Sequence, residues 1–289
     1  MNVYISLYNY KVNATVGRGG TMSVTPPVRR QRVDVYFVLG LILSAGIGLS
    51  LGLIGGGGSI ITVPVLVYVF GVDVRESVGM SLAVVGATSL VGAGLHHRRG
   101  AVDARTGVTF GAAGIAGALL GSPLTHMVAP AALLLIFALL MLVIATLMLT
   151  RKQADEGESR HRRSTVKALV AGFVVGVLTG FLGVGGGFLV VPALVLFGGL
   201  TMKESIGTSL LVIAINCAAG LAGHLRYGVF DLKLALLVTI LAVAGTLAGT
   251  ALSLRVAADK LKKGFALFVI VVALFLVAKN YSAPLLLLL

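Results

Sequence analysis

The chain has 289 residues, with 23 Lys and Arg against 10 Asp and Glu and a formal net charge of +13. Charged residues make up 11% and hydrophobic residues 57%, where a water-soluble domain carries about 25% charged residues. That excludes a soluble globule and implies an all-α integral membrane protein. The basic excess is no nucleic-acid footprint, because its clusters lack interleaved aromatics and a binding motif.

Residues 1–34 are polar and carry Gly-Arg-Gly-Gly and Pro-Pro, and they read as a disordered tail. Residues 35–150 then hold five apolar segments, at 35–55, 59–70, 77–97, 104–126 and 130–150. A charged stretch, 151–165, follows and reads as a solvated linker. A second apolar block covers 166–280, and 281–289 is a short leucine-rich tail. The segment at 59–70 is too short to span about 30 Å at 1.5 Å per residue, and it directly follows Gly55–Gly58. The segment after Gly183 and Gly185–Gly187 is equally short.

The two blocks are copies. At an offset of 128 residues, Gly52 aligns with Gly180, Pro64 with Pro192, Glu76 with Glu204, Ser81 with Ser209, His96 with His224, Arg98 with Arg226 and Asp103 with Asp231. Apolar matches arise by chance; a shared register of Glu, His, Arg and Asp does not. If each glycine-broken pair makes one net crossing, each half crosses four times, giving about eight transmembrane helices in two homologous, parallel repeats. Five crossings per half would instead make the repeats inverted. The eight-span count puts Arg29–Arg32, His96–Arg99, the central linker and His224–Arg226 on one side. That places the N-terminus and linker in the cytoplasm of a multi-pass protein in the cell membrane.

A glycine cluster inside a span leaves backbone groups without partners, tolerated only where protein or a water-filled cavity supplies them. Matched discontinuous helices point to a transporter's binding site. The helix restarting near Ser59 or Phe188 has unpaired N–H groups and partial positive charge. Two such N-termini would hold an anion without a buried cation. On this reading Gly55, Gly57, Gly58, Ser59, Gly183, Gly185, Gly186 and Gly187 bind substrate; the alternative is that the glycines only permit close helix packing.

The segments Gly-Leu-Ile-Gly-Gly-Gly-Gly-Ser-Ile-Ile-Thr-Val-Pro (52–64) and Gly-Phe-Leu-Gly-Val-Gly-Gly-Gly-Phe-Leu-Val-Val-Pro (180–192) resemble the sulfite exporter TauE/SafE family of membrane permeases. So do Glu-Ser-Val-Gly-Met-Ser (76–81), Glu-Ser-Ile-Gly-Thr-Ser (204–209) and Gly-His-Leu-Arg-Tyr-Gly-Val-Phe-Asp (223–231). The resemblance covers residues 35–280 and implies a permease for sulfite, a sulfonate or a related organosulfur anion.

Glu76 and Glu204 precede the third segment of each half. They serve either as helix N-terminal carboxylates or as a gating or proton-accepting pair at the mouth of the site. His96, His224, Arg98 and Arg226 end those segments as interfacial anchors or as a pH-sensitive route that attracts anions. Thr88 and Asn216 occupy equivalent positions inside the third segments, where a polar group contacts either substrate or another helix. No cofactor or metal signature is present. The expected partners are a small anion, the lipid bilayer and a coupling ion, proton or sodium. An enzyme is not expected, since His-Glu-x-x-His, Gly-x-Ser-x-Gly and paired mid-span Asp are all missing. An anion channel and a membrane scaffold are the rival readings.

Overall fold

The computed structural model describes residues 15–16, 22–23, 35–121, 130–150, 165–182, 187–224 and 231–280. Thr15–Val16 and Met22–Ser23 pair as two antiparallel strands within a unit of their own, Met1–Asp34. The rest of the described chain is helical. The helices are α1 Val35–Ile54, α2 Gly57–Tyr68, α3 Val74–His97, α4 Ala104–Gly121, α5 Pro130–Thr150, α6 Thr165–Leu182, α7 Gly187–Leu196, α8 Met202–His224, α9 Leu232–Arg255 and α10 Ala258–Asn280. Within them, Val35–Ile54, Glu76–His97, Met202–Ala222 and Leu232–Ser253 are long and apolar enough to cross a bilayer. The first residues of α8, α9 and α10 each lie 128 positions beyond those of α3, α4 and α5.

The break between α1 and α2 reverses the chain. Gly55 sits at φ +81°, a left-handed position that glycine adopts without a Cβ penalty, and its N–H closes α1 onto the Leu51 carbonyl at 2.8 Å. After this cap α2 runs back along α1. Gly58 lies against the Ile47 carbonyl, and twelve residues later the Phe70 ring reaches Gly40. Phe70 also meets Phe37 edge-on, with ring centroids 5.8 Å apart. The broken pair is therefore a helical hairpin that returns to the face where α1 begins (face A), not the single interrupted crossing expected from its length. A short apolar segment after glycines fits both arrangements. The left-handed cap and the Phe70 contacts select the hairpin.

Helix directions follow from the contacts. Met80 and Val84 of α3 share a core with Ala235, Val238 and Ala242 of α9, and Gly92 faces Thr246, so these helices run parallel. Their starts are joined at face A by the Asp231 N–H, which donates to Glu76 Oε1 at 2.8 Å. The far end of α3 lies at face B. There Gly207 packs on His96 and Ala101, and the Asp103 N–H donates to Thr208 Oγ1 at 3.0 Å. Helix α8 starts at that face and runs antiparallel to α3, with Gly92 near Leu210, Gly86 near Cys217 and Gly220 near Leu82. The His96–Arg99 stretch and the C-terminal end of α8 at His224 thus fall at opposite faces, not on one side as expected.

Two glycine seams hold these helices together. In α1 and α9, Gly48 and Gly52 lie on the Ala242 and Thr246 carbonyls, and Gly245 and Gly249 on those of Ala45 and Leu49. In α4 and α6, Gly172, Gly176 and Gly180 lie on the Phe110, Gly114 and Ala118 carbonyls, and Gly117 and Gly121 on those of Phe173 and Val177. Both seams are parallel, with small residues every fourth position, the spacing that lets backbones touch in lipid. Since α4 leaves face B, α6 does too, opposite to α1. Thr246 Oγ1 adds a 3.1 Å hydrogen bond to the Gly48 carbonyl.

A Cβ at Gly176 would overlap backbone, whereas Gly46 has nothing within 4 Å. Gly176→Val is expected to lose about 3 kcal/mol or more of stability, the upper range for overpacking, and Gly46→Val to be nearly silent. Thermal melts of the two variants in detergent check this.

Candidate functional site at the hairpin tips

The first turns of α2 and α7 meet. Gly56 faces the Gly187 carbonyl and the Phe188 backbone, and Gly187 faces Ser59 Oγ and the Ile213 side chain. No side chain caps α2 at Gly56, so its first N–H groups keep their partial positive charge. Gly57 and Gly58 are buried, and Gly57 lies beside Ser50 Oγ and the Phe268 ring. Ser50 Oγ is buried without a hydrogen-bond partner. Ser59 Oγ donates to the Gly56 carbonyl at 2.8 Å. One tip is tied to the other half of the chain: Ser209 Oγ, on α8, lies 2.7 Å from the Gly55 carbonyl and 2.8 Å from that of Ile206.

Of the residues expected to bind substrate, Gly55, Gly57, Gly58, Ser59 and Gly187 come together here. Gly183, Gly185 and Gly186 lie outside the described residues. Thr88 lies on α3, and Asn216 lies on α8 one turn beyond Ile213, the side chain that Gly187 faces. Thr88 Oγ1 bonds back to the Val84 and Val85 carbonyls at 2.7 and 3.0 Å, while Asn216 Oδ1 is buried and unpaired. Gly56 and Ser209 were not among the expected site residues. Gly56 aligns with Val184 at the 128-residue offset, so the repeat hides it. Ser209 does repeat, as Ser81, but the bond that makes it a tip residue spans 154 positions.

The expected gating set separates. Glu204 accepts from the Thr201 N–H and hydroxyl, each at 3.0 Å, and Thr201 Oγ1 accepts from the Glu204 N–H at 3.3 Å. This reciprocal arrangement is a capping box. Glu76 accepts from Asp231 at the opposite face, so the two carboxylates do not form a pair at one mouth. His96 is 1% exposed, buried rather than an interfacial anchor, and Arg98 is exposed. The His224 side chain and Arg226 lie outside the described residues.

Ser209→Ala leaves the buried Gly55 carbonyl without this donor and is expected to lower stability by about 1–3 kcal/mol. A chemical or thermal melt against the parent protein measures it.

The sequence has relatives among known proteins. The chain is 34% identical over 247 residues to a probable membrane transporter protein of Xylella fastidiosa, covering 82% of this chain and 93% of the relative. It is 28% identical over 221 residues to the probable membrane transporter protein YdhB of Bacillus subtilis, covering 74% and 86%. No solved structure matches it. The sulfite exporter TauE/SafE profile matches residues 39–276, and the chain belongs to that family of membrane transporters.

Proposed function

We propose that the chain is a permease for a small oxyanion, sulfite, a sulfonate or a related organosulfur anion, which it binds at the facing first turns of α2 and α7. The observation that carries this reading is the meeting of the α2 and α7 N-termini at Gly56 and Gly187, with no Lys, Arg, Asp or Glu in either helix. N–H groups there act in place of a buried cation. Among the described residues no Asp or Glu is buried, so this reading includes no carboxylate cage for sodium.

The two halves act as inverted repeats in this reading. The matching helix starts and the opposite directions of α1 and α6 and of α3 and α8 support it. Alternating access around a shared central site is the transport mode that inverted repeats and broken helices serve. Orientation follows from charge. Among the described side chains face B carries Arg98, Arg99, Arg105, Lys167, Lys203, Arg255, Lys260, Lys262 and Lys263, and face A carries Lys233. By the positive-inside bias face B is cytoplasmic. The central linker, which leads into α6, is then cytoplasmic, and α1 starts from the outer face.

Gly57→Leu is expected to cut sulfite or sulfonate counterflow in proteoliposomes at least tenfold while the protein stays folded. Wild-type flux in that variant would remove the tip from the mechanism, and ohmic current in the parent protein would make it a channel. For orientation, Lys263→Cys should react with an impermeant maleimide only from the cytoplasm and Lys233→Cys only from outside. The reverse pattern rejects the assignment. The buried Cys217 stays unlabelled in both.

A further inference from the structure

We infer that the two facing first turns are unequal: a single oxyanion sits at the first turn of α2, where the Ser50 hydroxyl is its side-chain donor, and α7 supplies a wall instead of a second site. The inference rests on the permease reading and narrows its site to one tip. Ser50 Oγ, on α1, is buried without a hydrogen-bond partner among the described residues. It lies 3.0 Å from the position that a Cβ at Gly57 would take, and Phe268 Cε1, on α10, lies 3.0 Å from the same position. The hydroxyl and the ring therefore both border the first residue of α2.

Ser50 has two local ways to satisfy its hydroxyl and uses neither. A serine or threonine inside a helix can bond back to the carbonyl one turn earlier. Ser44 does so to Gly40 at 2.7 Å and Thr62 to Gly58 at 2.9 Å, whereas Ser50 makes no such bond to Gly46. It does not cap α2 either, since no side chain caps that helix at Gly56. Leaving a buried hydroxyl unpaired is costly, and in a native structure it calls for an occupant. The uncapped N–H groups at the start of α2 lie beside it, so one bound acceptor can serve both.

The chemistry selects the class of that acceptor. A hydroxyl and helix N–H groups all donate, and neither α1 nor α2 carries a charged residue. A hard cation would need oxygen ligands in number and would meet the positive end of α2. An oxyanion accepts from several donors at once. The second tip lacks the same equipment. At the 128-residue offset Ser50 aligns with Leu178 and Phe268 with Leu140. Leu178 packs against the core around Phe188, and the neighbouring hydroxyl, Thr179, bonds back to the Gly176 carbonyl at 3.0 Å. Gly187, Phe188, Leu189 and Val190 of the first turn of α7 are buried. The duplication thus kept a short helix after each break, and a free hydroxyl stands at only one of them.

The test is calorimetric titration of the purified full-length chain with sulfite and with methanesulfonate. The parent protein is expected to bind one anion per chain. Ser50→Ala should weaken binding of both about tenfold, the effect of one hydrogen bond to a charged partner. It should not lower the melting temperature, because Ser50 Oγ has no protein partner to lose; a merely structural serine would move the melting temperature and leave the affinity alone. Ser50→Thr, which keeps the hydroxyl, should bind more tightly than Ser50→Ala, and Leu178→Met should keep the parental affinity. Parental affinity in Ser50→Ala, or two anions per chain, overturns the assignment, and if Gly57→Leu still abolishes counterflow the permease reading stands without it. A parent protein that binds neither anion overturns both.

Discussion

The constraint behind this structure is that a backbone N–H or C=O inside a bilayer must find its partner within the protein. A helix satisfies that by itself, and a broken helix cannot. The break at Gly55 is tolerated because Ser209 of α8 bonds the freed Gly55 carbonyl and α2 shields its tip against α7. The glycine seams serve the same end from the other side. With carbonyls of α1 and α9, and of α4 and α6, facing glycines with no intervening Cβ, these helices approach backbone to backbone and leave little of their facing surfaces to lipid.

Sequence reading separated poorly between glycines of these two kinds. It offered either a ligand site or close packing for the cluster, and the close packing between helix backbones falls largely on glycines outside it. Gly48, Gly52, Gly176, Gly180, Gly245 and Gly249 touch facing carbonyls, as packing requires. Gly55 caps a reversal, and Gly56 and Gly187 bring two N-termini together. What distinguishes them is the neighbour across the gap, and composition carries no information about neighbours. The 128-residue offset was legible because duplicated polar residues leave a trace that apolar drift does not erase. The direction of α2 was not legible. Hydrophobic length says how far a segment reaches, and the φ of one glycine decides which way it goes.

That one reversal changes the reading of the whole membrane body. With α2 as a single broken crossing, the halves would be parallel, and Lys260, Lys262 and Lys263 would sit opposite the other basic clusters. With α2 folded back, α9 runs parallel to α1 and ends at face B, and α10 begins there. Those three lysines then join Arg98, Arg99 and Lys203. Face B then gathers most of the described basic residues, and the hairpin was established from contacts that involve none of those charges.

The seams also bear on how a carrier built this way would move. The most extensive packing between helices joins α1 to α9 and α4 to α6, and each seam crosses from one half of the sequence to the other. Backbone in direct contact with backbone has no side chains to repack, so a seam slides only at the expense of many close contacts. The closest packing therefore joins one sequence half to the other. Helix α1, with its hairpin partner α2, belongs with α9, and α6, with α7, belongs with α4. Helices α3 and α8 pack antiparallel beside these seams, with Gly86 near Cys217 and Gly92 near Leu210. The unpaired Asn216 Oδ1 lies on α8, where a hydrogen bond made in only one of two states would bias the equilibrium between them.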